Sequence, residues 1–85
     1  MAYQVVIPKQ VQKDISLIDK KYRIRITRAL IVLGNNPYLG KKLEGEHKDE
    51  RSYTIWPYRI IYQIKERELI VLVVRVGHRQ GVYKN

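Results

Sequence analysis

The 85-residue sequence contains no cysteine. Without thiols, the chain can form neither a disulfide framework nor a cysteine-ligated zinc site. Its apolar runs are far shorter than the roughly 20 residues that a membrane-spanning helix requires. The first residues, Met-Ala-Tyr-Gln, lack the charged and apolar regions of a secretory signal. These absences predict one cytoplasmic domain that covers residues 1–85.

Acidic residues are scarce relative to basic ones. Seventeen Lys and Arg stand against eight Asp and Glu, which gives a formal charge of +9 at pH 7. On so short a chain, this excess attracts polyanions such as nucleic acid, an anionic membrane surface or an acidic protein. The acidic residues have no spacing that gathers three or four metal ligands, so we expect neither a metal site nor a cofactor.

Apolar spacing predicts the elements of the N-terminal half. Residues 3–7 alternate weakly before Pro8, which indicates an opening strand. Over residues 9–33, apolar side chains recur every three or four positions, as in a helix. One such helix would be about 37 Å long, whereas a globule of this size is only about 30 Å across. We therefore predict a helical hairpin, at about 9–18 and 20–33, with Asp19 capping the second helix.

The C-terminal half changes from helical to strand patterns. Residues 34–37, Gly-Asn-Asn-Pro, end the helical pattern. Residues 38–50 are polar and charged without a period, which predicts a loop with a short turn at Leu43. Strand patterns follow at 52–56, 58–65 and 69–76. The predicted fold class is α+β: a strand, a helical hairpin and then an antiparallel meander, with the helices packed on one face of the sheet.

Alternation along the predicted strands separates the two faces of the sheet. Tyr58 and the apolar residues at every second position after it share one face, which the helices would cover. Thr54, Trp56, Arg59 and Ile61 would lie on the other face. One helix layer leaves that second face open, and the segment after the last strand arrives at its edge.

Two segments carry a resemblance to a known family. Tyr58–Ile64 opens a β-branched strand with a tyrosine–arginine pair, and Arg75–Tyr83 ends in Gly-His-Arg-Gln-Gly-Val-Tyr. Together with Lys42–Gly45 and the order of elements, they make the sequence resemble the RelE/ParE superfamily of toxins from type II toxin–antitoxin systems, specifically its RelE branch. The resemblance implies a RelE-like fold and a cognate acidic antitoxin, RelB-like, in a toxin–antitoxin hetero-oligomer.

The resemblance also implies an activity. Such a toxin enters the ribosomal A site and cleaves mRNA there without a metal, by attack of the ribose 2′-OH on its neighbouring phosphate, and so inhibits translation. At the matching positions, Arg59 and Arg79 would neutralise the phosphate. Tyr83 would orient the scissile region, stack on a base or help in proton transfer. The best-known RelE pattern has two lysines where this sequence has Thr54 and Trp56, so the general base stays unassigned.

The chemical properties of these residues suit this reaction independently of the family resemblance. Arginine stays protonated and offers a planar fork to phosphate oxygens. His78 could act as an acid or base, bind phosphate as imidazolium, or simply face water. Trp56 could stack an unpaired RNA base, anchor an antitoxin or cover the edge of the core.

Several further basic residues are candidates for RNA binding. A run of them shares one face of the second predicted helix, where it could grip ribosomal RNA phosphates or be only the solvated side of that helix. The candidates are Lys21, Arg25 and Arg28, with Lys41, Lys42 and Arg51 as weaker additions.

Two other functions fit the sequence besides the nuclease. One is a ParE-like toxin that inhibits DNA gyrase without cutting RNA, and the other is a non-catalytic basic RNA-binding module. The ending with histidine, arginine and tyrosine favours the nuclease, because an inhibitor has no need of those three groups. The fold alone does not choose among the three.

Overall fold

The computed structural model describes residues 2–81 and shows two helices packed on a five-stranded mixed sheet. In chain order the elements are β1 (Gln4–Val6), α1 (Lys9–Ser16), α2 (Lys20–Asn35), β2 (Lys41–Lys42), β3 (Arg51–Ile55), β4 (Tyr58–Lys65) and β5 (Ile70–His78). The predicted α+β class is confirmed. Within the part of the chain that is described, no helix has the length and apolar character to cross a membrane.

The helical hairpin confirms the prediction made from length. The first helix ends at Ser16, two residues earlier than predicted, and the second continues to Asn35, two residues further. Asp19 occupies the N-cap position of α2, but its side chain makes no capping hydrogen bond. Its backbone carbonyl instead accepts the N–H groups of Tyr22 and Arg23, at 3.0 and 2.9 Å. The predicted position of the N-cap is therefore confirmed, although the Asp19 side chain does not cap the helix by a hydrogen bond.

The strand order in the sheet is β1-β5-β4-β3-β2. β1 runs parallel to β5, and the remaining neighbours are antiparallel. The helical hairpin connects β1 at one edge of the sheet to β2 at the other edge. The segment predicted as a loop contains β2, where Lys41 pairs with Ser52 and Lys42 with Arg51. A strand of two residues is too short to show alternation, so the sequence pattern did not reveal it.

One face of the sheet carries the hydrophobic core. Ile60, Tyr62, Val71 and Val73 are fully buried there against both helices. β5 contains one extra residue relative to β4, because Ile61 pairs with Arg75 while Tyr62 pairs with Val73. This irregularity keeps Val73 and Val76 of β5 on the same side as Tyr62 and Ile60 of β4, which is the helix side. The predicted assignment of faces along β4 is confirmed.

The opposite face, called the open face below, consists of the alternate positions of β3, β4 and β5, including Ser52, Thr54, Arg59 and Ile61. The face is only partly exposed. Ile61 is 1 % exposed and Ser52 is 5 % exposed, although both described helices pack on the other side. The burial of the open face is therefore uneven, since Thr54 on the same face is exposed.

Candidate functional site

The pairing of β4 with β5 places Arg59 and Arg79 on the same face of the sheet. Arg59 lies opposite Gly77, and the Arg79 N–H donates to the Pro57 carbonyl at 2.9 Å, so the ladder continues just beyond β5. Residues two apart on a strand point to the same side. Arg79 is the first residue of the turn after β5, and the alternation that continues through its bond to Pro57 puts it on the side of Arg59.

Neither guanidinium is neutralised by the described chain. Both residues are half-buried, and the Nε atom of each is buried without a hydrogen-bond partner. Within residues 2–81, no carboxylate forms a salt bridge with either of them. A buried donor without a partner costs about 1–3 kcal/mol, and such a group calls for an explanation, such as an external ligand. Two adjacent guanidinium groups of this kind are suited to a phosphate.

Ser52 is a further member of this group that sequence reasoning missed. Its side-chain oxygen is buried and has no partner. Ser52 lies opposite Ile61, two positions along β4 from Arg59, and is therefore diagonal to Arg59 on the open face. Among residues 2–81, the buried side-chain polar atoms without a partner are those of Ser52, Arg59 and Arg79. All of them lie on the open face.

Trp56 contacts one of the two arginines. It lies in the turn between β3 and β4, and its side chain is 60 % exposed. The guanidinium carbon of Arg79 lies 4.3 Å from the centroid of the indole ring. This distance is within the range of a cation–π contact, so the tryptophan predicted on the open face is in direct contact with one of its arginines.

The structure does not bring His78 to the arginines. His78 lies opposite Tyr58, and its ring centroid is 6.0 Å from that of Tyr58, which in turn lies 5.5 Å from the ring of Tyr22 on α2. The histidine therefore points to the helix side of the sheet, because it is adjacent to Arg79 on an extended chain. Tyr83, the other candidate for proton transfer, lies outside the described residues.

The basic residues of α2 form a separate surface. Lys21, Arg25 and Arg28 are exposed on the helix layer, with the Lys21 amine 5.0 Å from the centroid of the Tyr22 ring. Lys41 and Lys42 are exposed on β2, at the edge of the sheet. The structure thus does not gather these lysines and arginines around Arg59 and Arg79.

Arg51 has partners within the fold. Its Nη1 atom donates to the Gly40 carbonyl at 2.9 Å, and its guanidinium lies 5.2 Å from the centroid of the Tyr38 ring. The Tyr38 hydroxyl donates to the Glu66 carboxylate, and this hydrogen bond raises the pKa of Tyr38 above its ordinary value. These contacts engage the Arg51 guanidinium within the fold, beside the edge strand β2.

Comparison with known proteins assigns this arrangement to a class. The order of strand, helical hairpin and meander is that of the toxins of the RelE/ParE superfamily. A family model described as "ParE toxin of type II toxin-antitoxin system, parDE" matches residues 5–83, and the chain belongs to this family. The resemblance stated from the sequence is confirmed at the level of the superfamily. A search of curated protein sequences found no match.

Solved structures of RelE toxins share the fold. The RelBE2 toxin–antitoxin complex from Mycobacterium tuberculosis is 23 % identical with a TM-score of 0.86, over 93 % of this chain and 100 % of that chain. The isolated RelE toxin of E. coli is 22 % identical with a TM-score of 0.80, over 91 % of this chain and 84 % of that chain. The archaeal RelE–RelB complex from Pyrococcus horikoshii OT3 is 26 % identical with a TM-score of 0.78, over 96 % of this chain and 100 % of that chain.

Proposed function

We propose that the protein is the toxin of a toxin–antitoxin pair and that it cleaves mRNA on the ribosome, by attack of a ribose 2′-OH on the adjacent phosphate, without a metal. The observation that carries the proposal is the pair of unneutralised guanidinium groups, Arg59 and Arg79, side by side on the open face. The family match to type II toxins supports the first part. Within residues 2–81, no group of three or more His, Asp or Glu side chains is arranged to hold a metal ion.

The chemistry assigns charge stabilisation to the two arginines. The bond from O2′ to phosphorus forms as the bond from phosphorus to O5′ breaks, and negative charge grows on the phosphate oxygens between these events. Arg59 and Arg79 would donate hydrogen bonds to those oxygens. Because no described carboxylate competes for them, they need little rearrangement when charge develops. In other enzymes, one donor of this kind contributes roughly 10²–10³ in rate.

The two protons of the reaction need other groups. One proton leaves the 2′-OH and one reaches the 5′ oxygen of the departing strand, and an arginine that stays charged transfers neither. Tyr83 remains a candidate because it follows Arg79 closely along the chain. His78 also remains a candidate from the sequence, but its position opposite Tyr58, on the helix side, argues against direct proton transfer.

The positive net charge of the chain indicates the kind of partner that it would bind. With a formal charge of +9, the free toxin would attract an acidic antitoxin of the RelB type, and chains of the same fold are found in RelE–RelB complexes. The exposed basic residues of α2 and β2 would contact ribosomal RNA phosphates, and Trp56 would contact the mRNA. We expect Arg51 to contribute less than the other basic candidates, since its guanidinium is engaged by Gly40 and Tyr38.

Glutamine variants of the two arginines test the proposal. We expect Arg59→Gln and Arg79→Gln each to lower mRNA cleavage by roughly 10²–10³-fold while the far-UV circular dichroism spectrum stays that of the wild type. Cleavage is measured by primer extension on mRNA from cells that express each chain and in a purified translation system. Arg67→Gln is the matched control, because Arg67 is exposed in the turn between β4 and β5 and should keep wild-type cleavage. Wild-type cleavage by Arg79→Gln would refute the assignment.

A second candidate function is inhibition of DNA gyrase without RNA cleavage. The observation that favours it is the family match, which is to a ParE model, whereas the structural likenesses are to RelE toxins. Intact mRNA together with loss of gyrase supercoiling activity would select this alternative. Binding of RNA without cleavage, and with normal gyrase activity, would instead indicate the non-catalytic RNA-binding module.

A further inference from the structure

Trp56 combines exposure with a defined contact. The side chain is 60 % exposed although it is largely apolar, and the Arg79 guanidinium lies against the ring at 4.3 Å from its centroid. A guanidinium at this distance covers one face of the indole. The exposed fraction therefore belongs mainly to the opposite ring face and the ring edge, which lie at the end of the open face beside the arginine pair.

We infer that Trp56 is a positioning residue that holds Arg79 against one face of its ring and receives an unpaired RNA base on the other face. This inference deepens the proposed function and rests on it. The base would belong to a nucleotide next to the phosphate that Arg59 and Arg79 bind, so the indole would fix the register of the RNA relative to the two guanidinium groups.

The Arg79 side chain needs a residue that restrains its guanidinium group. Its backbone N–H is fixed by the Pro57 carbonyl, but an arginine side chain is long and has many rotamers. Within the described residues, the guanidinium contacts the Trp56 ring, and no carboxylate or carbonyl holds it. A planar ring can restrain the guanidinium while leaving its N–H groups free for a phosphate, which a carboxylate partner would occupy.

The second half of the inference follows from the geometry of stacking. Unpaired bases stack on exposed aromatic side chains, and stacking tolerates any base sequence because every base has a π-face. A tryptophan sandwiched between a guanidinium and a base uses both of its faces.

The fluorescence of the full-length protein tests the positioning role without RNA. Trp56 is the only tryptophan in the chain, so its emission reports this site alone. We expect Arg79→Gln to change the intensity and maximum of the emission, while Arg67→Gln leaves both unchanged. Unchanged emission in Arg79→Gln would overturn the positioning role.

A pair of uncleavable ligands tests the stacking role. A 2′-deoxy trinucleotide keeps its bases but lacks the attacking hydroxyl, and its abasic counterpart has the same phosphates. We expect the base-containing ligand to quench the emission and to bind about 5- to 150-fold more tightly than the abasic one. Equal affinity of the two ligands for the wild type would overturn the stacking role. Neither the emission measurement nor the ligand-binding measurement requires cleavage. Failure of the stacking or positioning role can therefore be distinguished from failure of the proposed nuclease activity.

Two substitutions of the tryptophan complete the test. Trp56→Phe keeps a stacking ring and should retain the preference for the base-containing ligand, whereas Trp56→Leu should lose it. In the translation system, Trp56→Leu should lower kcat and raise KM, because both Arg79 and the base lose their support. Wild-type kcat and KM in Trp56→Leu would contradict the inference. Because this variant has no tryptophan, its binding of the two ligands is measured by calorimetry.

Discussion

The hydroxyl of Tyr62 ties the central strand β4 to the segment that leaves the helices. Its oxygen accepts the N–H of Gly40 at 2.9 Å and donates to the Pro37 carbonyl at 2.6 Å. Tyr62, Pro37 and Gly40 are all buried. Tyr62→Phe would keep the ring in the core and remove only this oxygen, so it would leave one donor and one acceptor without partners.

The expected loss of stability follows from those two groups. Each buried polar group without a partner costs about 1–3 kcal/mol, and we expect Tyr62→Phe to lower the free energy of unfolding by about 2–4 kcal/mol. For a domain of this size, that corresponds to a fall in Tm of at least about 8 °C. Tyr38→Phe is the matched control, because the Tyr38 hydroxyl is exposed and its loss should leave stability close to that of the wild type.

Chemical denaturation at neutral pH, with thermal unfolding as a second measure, gives the free energies directly. A value for Tyr62→Phe within about 0.5 kcal/mol of the wild type would refute the reasoning, because it would mean that water satisfies both groups at little cost. A large loss in Tyr38→Phe would equally refute it, since the effect would then not depend on burial.

The pH dependence of the same variant provides a second check. Burial raises the pKa of Tyr62 above its ordinary value of 10.0. As the pH rises past 10, the unfolded chain loses this proton before the folded chain does, so the stabilisation by neutral Tyr62 is complete below pH 10 and declines above it. The stability difference between the wild type and Tyr62→Phe should therefore shrink above about pH 10.

Four further predictions concern glycines, the histidine and the serine. Gly40→Ala should destabilise the protein by about 1–3 kcal/mol, since the new Cβ would lie 2.8 Å from Cε1 of Tyr62. Gly45→Ala should cost about 1 kcal/mol from its positive φ alone. Gly81→Ala should leave Tm unchanged, because Gly81 has no such φ and, among the described residues beyond its chain neighbours, no atom lies within 4 Å of the new Cβ; equal Tm values for the two variants would contradict the argument. His78→Gln should keep most of the mRNA cleavage in primer extension, and a hundredfold loss would restore its proposed role in proton transfer. Ser52→Ala should raise the free energy of unfolding by about 1 kcal/mol, because it removes a buried hydroxyl without a partner, and a lower Tm would show that the hydroxyl is satisfied.

Local pattern and chain length were enough to predict the helices and the two sheet faces. The stripe of apolar residues over 9–33 was too long for one helix in a small globule, and the break came at residues 17–19, between α1 and α2. Alternation along β4 correctly placed Tyr62 in the core and Arg59 on the other side, because one buried face imposes a period of two on a strand.

The features that the sequence did not reveal depend on pairing between distant segments. β2 exists because Lys41 and Lys42 pair with β3, and neither residue carries a local strand signal. The last strand was predicted to end at Val76, which left His78 and Arg79 as neighbours in a free tail. In the structure β5 continues to His78, and an extended chain directs adjacent side chains to opposite faces. The extra residue in β5 is likewise set by its pairing with β4.

Sequence motif and burial lead independently to the same arginines. The resemblance selected Arg59 and Arg79 by their motif positions, whereas the structure distinguishes them because their buried Nε atoms have no partner. Such atoms oppose folding by about 1–3 kcal/mol each, in a domain whose total stability is of the order of 5–15 kcal/mol. A fold that keeps two of them on one face, with the unpartnered hydroxyl of Ser52 beside them, is stabilised by any ligand that supplies oxygen atoms and a proton donor there. Under the proposed function, a phosphate of the RNA would supply such oxygen atoms. Alternation along a strand gives the face of a side chain but not its partners, so the sequence pattern alone does not identify these atoms.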